Sequence, residues 1–185
     1  MKKENVKVIV WGLGAMGKGI TEMLLNKKGV DVVGAIVRGD KIGKSMYDFL
    51  DIEREDRRDL LTGSYEDVIK EGAADVVIIA TDSFTKDNFD KIKYCLERKI
   101  NVISTAEEMS YPKAQEPELA EELDKVAKEN GVTVLGTGIN PGLIMDLLVI
   151  TLTGACIDVN SIKAERVNNL SPFGPAVMHE QGVGI

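Results

Sequence analysis

The stretch that most constrains this chain is Val6–Gly17, VKVIVWGLGAMG. Val6, Val8, Ile9 and Val10 form an apolar run too continuous for a strand with one wet face. It reads as a strand buried on both sides, the habit of parallel sheets. Gly12, Gly14 and Gly17 follow at once in G-x-G-x-x-G spacing. Gly12 permits a tight turn, Gly14 lets the backbone approach a pyrophosphate, and Gly17 lets the following helix pack closely on the strand. That helix, from about Ala15 to Lys27, turns the free N–H groups of Ala15, Met16 and Gly17 and the positive end of its dipole toward the phosphates. Ile20, Met23 and Leu24 give it an apolar face, and a second strand, Val32–Val37, follows.

The motif gains weight from what continues along the chain. Asp75–Ala80 is a second buried strand, followed by Thr81-Asp82-Ser83. Thr85 is placed to cap a helix that buries Phe89, Ile92 and Leu96. Asn101–Ser104 is the next strand, with Thr105-Ala106-Glu107-Glu108-Met109 at its carboxyl end. Pro112 marks a turn, and Pro117 suits the first turn of a helix carrying Leu119, Leu123, Val126 and Ala127 inward. That helix stops at Gly131. Val132–Leu135 is another strand, ending in Gly136-Thr137-Gly138-Ile139-Asn140-Pro141-Gly142. Strand and helix alternate from Val6 to about Leu135, which predicts an α/β fold with a doubly wound, mainly parallel Rossmann sheet. Each loop singled out follows the carboxyl end of a strand, the edge where such sheets bind ligands.

Three stretches are less regular. Met46, Phe49 and Leu50 predict a turn or two of helix, and Glu53–Asp59 is a mixed-charge run that reads as a solvated face. Ser64–Asp67 has capping-box character and predicts a short helix through Glu71. Leu143–Ala155 is apolar but for Asp146, too short to span a bilayer, and reads as a buried connector helix. Ile162–Val167 reads as a strand and 168–175 as a loop. One strand makes no stable sheet. We therefore expect a dinucleotide-binding domain over 1–157, connector included, and over 158–185 the beginning of a truncated α+β domain for substrate or oligomerisation, cut short here or completed by another chain.

Composition narrows the partners. With 23 basic and 30 acidic residues among 185, the net charge is −7, and no basic stripe with interleaved aromatics argues for nucleic acid. Cys95 and Cys156 suggest neither a disulfide framework nor a metal knuckle; two buried thiols in a reducing cytosol is the economical reading. The single histidine, His179, removes most zinc chemistry, and no metal is expected. The N-terminal apolar run is too short for a signal peptide, and no segment reaches membrane-spanning length. The chain reads as soluble and cytoplasmic.

Cofactor choice turns on the tip of the second strand. An NAD-selective fold usually carries an acid there for the ribose 2′-hydroxyl. Here the position falls on Val37 or Arg38. Arg38 is either a solvated charge or a bidentate partner of a 2′-phosphate, which favours NADP over NAD; Asp40 can still reach a 2′-hydroxyl.

With these motifs placed, the sequence resembles the dihydrodipicolinate-reductase-like, NAD(P)-binding amino acid dehydrogenases. The resemblance rests on WGLGAMGKG at Trp11–Gly19, VISTAEEMSYP at Val102–Pro112 and GTGINPGLIMD at Gly136–Asp146. The Asn-Pro-Gly of the third motif also resembles the Asp-Pro-Gly turn of diaminopimelate dehydrogenases, with Asn140 in place of the acid. The resemblance implies oxidative deamination of a small diamino acid, at the C4 amine of 2,4-diaminopentanoate, in a homo-oligomer joined through the second domain. It implies cofactor contacts at Gly12, Gly14, Ala15, Met16, Gly17, Arg38, Ala80, Thr81 and Thr105, and substrate contacts at Asp82, Asn140 and Asp146. The chemistry requires a base for the amine proton and carboxylates for a cationic substrate. Glu107, Glu108 and His179 are the candidates for catalysis, the two glutamates being alternatively helix-start carboxylates and His179 a structural group. Two other readings stay open: a reductase of a cyclic imine such as dihydrodipicolinate, whose basic, histidine-rich motif is not visible here, and a module that senses NAD(P) without turnover.

Overall fold

The computed structural model describes residues 5–167, 169–170, 178 and 182–183. Its organising strand is β1 (Val6–Trp11), whose side chains alternate between two apolar layers. Val8 and Val10 meet Leu24 of α1 (Ala15–Leu25), Ala35 of β2 (Val30–Ile36) and Met46 on one face. Ile9 and Trp11 lie on the other face with Ile92, Cys95 and Leu96 of α3 (Thr85–Leu96) and Leu123, Val126 and Ala127 of α4 (Pro117–Asn130). Strand β3 (Val76–Ile79) divides in the same way, Ile78 to the first layer and Val77 and Ile79 to the second. The continuous apolar runs thus have a physical cause: both faces of the sheet are covered.

All strands are parallel, and with β4 (Asn101–Ser104) and β5 (Val134–Gly136) they take the order β2-β1-β3-β4-β5. The chain first moves outward to β2 and then crosses back over β1 to β3, so the winding reverses between β1 and β3. Register aligns the strand ends. Ile36 pairs with Trp11, Trp11 with Ile79, Ile79 with Ser104, and Ser104 with Gly136. Five loops therefore leave the sheet from one row, and the predicted doubly wound sheet is present.

Several local expectations need correction. The helix after Ser64, α2 (Tyr65–Val68), is capped by the Ser64 hydroxyl as expected but stops before Glu71. Thr85 does not cap α3; Phe84 holds that position, and the Glu108 carboxylate accepts the Thr85 N–H at 2.9 Å. Cys95 is buried, its thiol pushed up to about 12 by desolvation, but Cys156 is exposed. Gly131 does end α4, with φ +66 in the left-handed region.

The chain divides into two compact units, 1–146 and 147–185. In the second, α5 (Leu148–Thr153) is exposed rather than buried, Ile150 being 68% accessible. Residues 162–167 form no strand and are exposed. The described residues of this unit offer 162–167 no ladder partner, so that backbone turns to water, and none of them buries the apolar side chains of α5. The loop expected over 168–175 lies largely outside the described residues. Among the described residues no helix is long and apolar enough to cross a membrane.

Two glycine substitutions should separate packing from propensity. A Cβ on Gly136 would fall 1.9 Å from the Met109 carbonyl oxygen, whereas on Gly19, within α1, it would meet nothing within 4 Å. Gly136→Ala should cost roughly 1–3 kcal/mol. Gly19→Ala should stabilise by up to about 1 kcal/mol. Denaturant midpoints of the two variants should move in opposite directions.

Candidate functional site

At the end of β1 the backbone is folded as tightly as atoms permit. Gly12 has φ +100, donates its N–H to Ile36 at 2.9 Å, and leaves no room for a Cβ, which would sit 2.8 Å from the Ala80 carbonyl oxygen. A Cβ on Gly17 would fall 1.7 Å from the Gly12 carbonyl oxygen, so only glycine lets α1 come this close. Gly14 is the opposite case, with nothing within 4 Å of its Cβ position. The first turn of α1 carries no acidic residue and no side-chain cap, and Gly14, Ala15 and Met16 are exposed. An uncapped helix start of this kind is a ready anion site. The three glycines thus have distinct physical tasks, two for close packing and one for an open approach.

Two cavities flank this turn. One of ≈ 330 Å³ is lined by Gly12, Gly14, Arg38, Lys41 and Thr81. A larger one of ≈ 510 Å³ is lined by Trp11, Arg38, Ile42, Tyr65, Lys91 and Tyr94 among others. Arg38 is common to both. The wall of the larger cavity is an aromatic ladder. Trp11 and Tyr65 stack with centroids 5.3 Å apart and 13° between planes, Tyr94 meets Tyr65 edge-on at 4.9 Å, and the Arg98 guanidinium lies 3.3 Å over Tyr94. An apolar slot beside an anion-binding turn fits the base and the phosphates of a dinucleotide.

The loop from β3 to α3 is held by a polar network. Asn88, fully buried, donates to the carbonyl oxygens of Asp82 (3.1 Å) and Phe84 (2.9 Å) and accepts from the Thr81 hydroxyl at 3.2 Å. The Lys91 ammonium donates to Thr81 Oγ1 at 3.0 Å and forms a close ion pair with Asp82. Arg38 Nη2 lies 3.9 Å from the same Asp82 oxygen. Partial burial disfavours the Asp82 carboxylate. The hydrogen bonds from Lys91 and Thr81 and the charges of Lys91 and Arg38 outweigh that, and the carboxyl is held below its usual range.

The next loop separates the two glutamates. Glu108 is tied on both sides, its N–H to the Ser83 carbonyl oxygen at 3.2 Å and its carboxylate to Thr85 N–H. Glu107 is exposed, and its carboxylate has no hydrogen bond or ion pair among the described residues. Thr105 donates its N–H to the Ile79 carbonyl oxygen at 3.0 Å, and Ala80 donates to Trp11 at 2.9 Å. At the end of β5, Thr137 N–H bonds the Ser104 carbonyl oxygen at 3.0 Å. In the following turn Asn140 and Pro141 are extended and Gly142 has φ +128, with its N–H donated to Asp146 at 2.7 Å. His179 lies outside the described residues. Among the described residues no cluster of His, Cys, Asp or Glu is arranged to hold a metal.

The structure therefore gathers Gly12, Gly14, Ala15, Met16, Gly17, Arg38, Ala80, Thr81 and Asp82 around the reversal between β1 and β3. Thr105, Glu107 and Glu108 occupy the adjacent strand end, and Asn140 and Asp146 the one beyond. Sequence reasoning missed Lys91, the Trp11–Tyr65–Tyr94 ladder and the capping role of Glu108. Trp11 at the very end of a buried strand was a usable signal; the other contacts depend on which strands are neighbours.

Comparison with known proteins accords with this geometry. Residues 143–185 match the model of the 2,4-diaminopentanoate dehydrogenase C-terminal domain. The chain is 66% identical over 182 residues to 2,4-diaminopentanoate dehydrogenase of Acetoanaerobium sticklandii, covering 98% of this chain and 52% of that protein. It thus spans about half the length of that relative. Among solved structures, the amine dehydrogenase of Mycobacterium smegmatis is 30% identical with a TM-score of 0.79, over 98% of this chain and 53% of the other. A substituted meso-dapdh with DAP, of Clostridium tetani, is 20% identical with a TM-score of 0.57, over 80% and 42%, and shares the fold. Residues 6–134 match the model of the dihydrodipicolinate reductase N-terminus, and on that match over most of its length the chain belongs to the dihydrodipicolinate reductase N-terminal-domain family.

Proposed function

We propose that the full-length protein is an NAD(P)-dependent dehydrogenase that oxidatively deaminates 2,4-diaminopentanoate to 2-amino-4-oxopentanoate. The observation that carries this reading is the 66% identity to the Acetoanaerobium sticklandii enzyme, which extends over the glycine turn and the loops beyond it. In the net reaction the substrate ammonium, oxidised cofactor and water become the ketone, ammonium ion, reduced cofactor and a proton. Bound NAD(P) supplies the hydride acceptor. The open Gly14 and the uncapped first turn of α1 fit its phosphates, and the aromatic slot fits its base.

Each residue then has a task. The N–H groups of Ala15, Met16 and Gly17 receive the pyrophosphate, while Gly12 and Gly17 hold the turn closed. Ala80, Thr81 and Thr105 line the path from there along the strand ends. Arg38, with a side chain 75% exposed, is free to swing onto a 2′-phosphate, and this favours NADP. Glu107 is the base that takes the proton from the substrate ammonium, because its carboxylate is uncommitted, whereas Glu108 is held by Thr85. Asn140 presents an amide to the substrate, and Asp146, with one oxygen on Gly142, keeps the other for a cationic group.

Three measurements test this assignment. Gly14→Val should remain folded, since the site is open, yet lose NAD(P) binding in calorimetric titration; retained affinity would remove the phosphate reading. Arg38→Ala should weaken NADP more than NAD by roughly 1.5–3 kcal/mol, the scale of a hydrogen bond to a charged group. The glutamates should part company. Glu107→Gln should lower kcat/KM for 2,4-diaminopentanoate about 100-fold or more at unchanged cofactor affinity, the scale of a general base. Glu108→Ala should instead lower stability by about 0.5–2 kcal/mol, as loss of a helix cap does. Near-normal turnover in Glu107→Gln would return the glutamate to the role of a helix-start carboxylate.

A further inference from the structure

Resting on the dinucleotide reading above, we propose that Asp82 and Lys91 form a selector for the ribose 2′ group. Asp82 accepts the 2′-hydroxyl of NAD, and Lys91 is the second cation, with Arg38, for the 2′-phosphate of NADP. The sequence points to Arg38 at the strand tip and to Asp82 as a substrate contact. The structure instead pairs the Asp82 carboxylate with Lys91 and sets Arg38 3.9 Å away, two cations that line the cavities beside the glycine turn. It also gives the fold an acid for the ribose from β3, where the usual acid at the tip of β2 is absent.

The argument follows the path of the ligand. Phosphates at Gly14 and a base against Trp11 and Tyr65 put the intervening ribose beside Arg38, the one charged residue among the four that line both cavities. Lys91 lines the larger cavity with its side chain only 16% exposed, and its ammonium is held by Asp82 and by Thr81, which lines the smaller one. Glu66 and Asp90 also line the larger cavity and Lys41 the smaller, making them the other charges that border the two cavities. A 2′-hydroxyl can donate to Asp82 while the Lys91 pair stays intact. A 2′-phosphate cannot, because its charge repels the carboxylate. It must draw Lys91 and Arg38 away from Asp82, and the broken ion pair offsets part of the attraction. Both cofactors are therefore accepted, and the Asp82–Lys91 pair sets the ratio.

The two partners make opposite predictions for the full-length protein, with NAD and NADP titrated calorimetrically and thermal unfolding as the folding control. Asp82→Asn releases Lys91, so the affinity ratio should shift about tenfold or more toward NADP. Lys91→Met removes the second cation and should shift the ratio about tenfold or more toward NAD. If Lys91→Met fails to fold, the Asp82→Asn shift alone decides. Equal changes for both cofactors in Asp82→Asn, or a shift seen in Asp90→Asn instead, overturns the selector. If neither cofactor binds the unaltered protein, the dinucleotide reading itself falls; if both bind and the ratio stays fixed, only the selector does.

Discussion

Everything at the candidate site depends on one close approach of backbone. Gly17 packs on the Gly12 carbonyl oxygen, and Gly12 packs against Ala80, at distances that exclude even a methyl group. The first contact fixes the direction of α1 relative to β1. The second locks the β1 turn to the β3 loop across the reversal of winding. A side chain at either glycine would push the helix start away from the sheet edge, and its exposed N–H groups would no longer converge where Gly14 leaves space. The anion site is thus a consequence of packing rather than of charged side chains.

From that contact outward, sheet register does the assembling. Ile36, Trp11, Ile79, Ser104 and Gly136 form one row across five strands, so Arg38, Gly14, Asp82, Glu107 and Asn140 emerge on one edge although they are spread from position 14 to position 140 of the chain. Neighbouring loops then stabilise each other. The Glu108 carboxylate caps α3 through Thr85, and Thr137 bonds the end of β4. This explains how two adjacent glutamates come to differ. The alternation of a short turn directs one carboxylate to the start of the neighbouring helix and the other to solvent.

What could be read in the sequence follows the same division. Strands such as Asn101–Ser104, and helix stops such as Gly131, are encoded by residues next to one another, and their limits were legible. The close packing at Gly12 and Gly17 was legible too, because the motif states a backbone requirement. The Arg38–Asp82–Lys91 cluster was not. It joins the ends of β2 and β3 to the middle of α3, and only the strand order makes them neighbours. Apolar pattern also misled where no partner is present. Leu148–Thr153 has the composition of a buried helix and 162–167 that of a strand, but pattern records what a segment can bury, not what covers it.

The energetics place stability and selectivity in different parts of the molecule. Fully buried side chains such as Ile9, Ile79, Ile92 and Leu96 each contribute roughly 1.5–3 kcal/mol, while exposed pairs such as Lys99–Glu71 are screened by water and contribute little. The two apolar layers can therefore hold the sheet without relying on the polar network at its edge. Asp82 shows how far that arrangement reaches. Its carboxyl is held below the usual range in the folded protein, so the stability its pairing provides is present above the unfolded pKa and is lost only as pH falls through the lowered folded value. Near neutrality Asp82 is ionised throughout, so the charge that holds the loop from β3 to α3 is in place there.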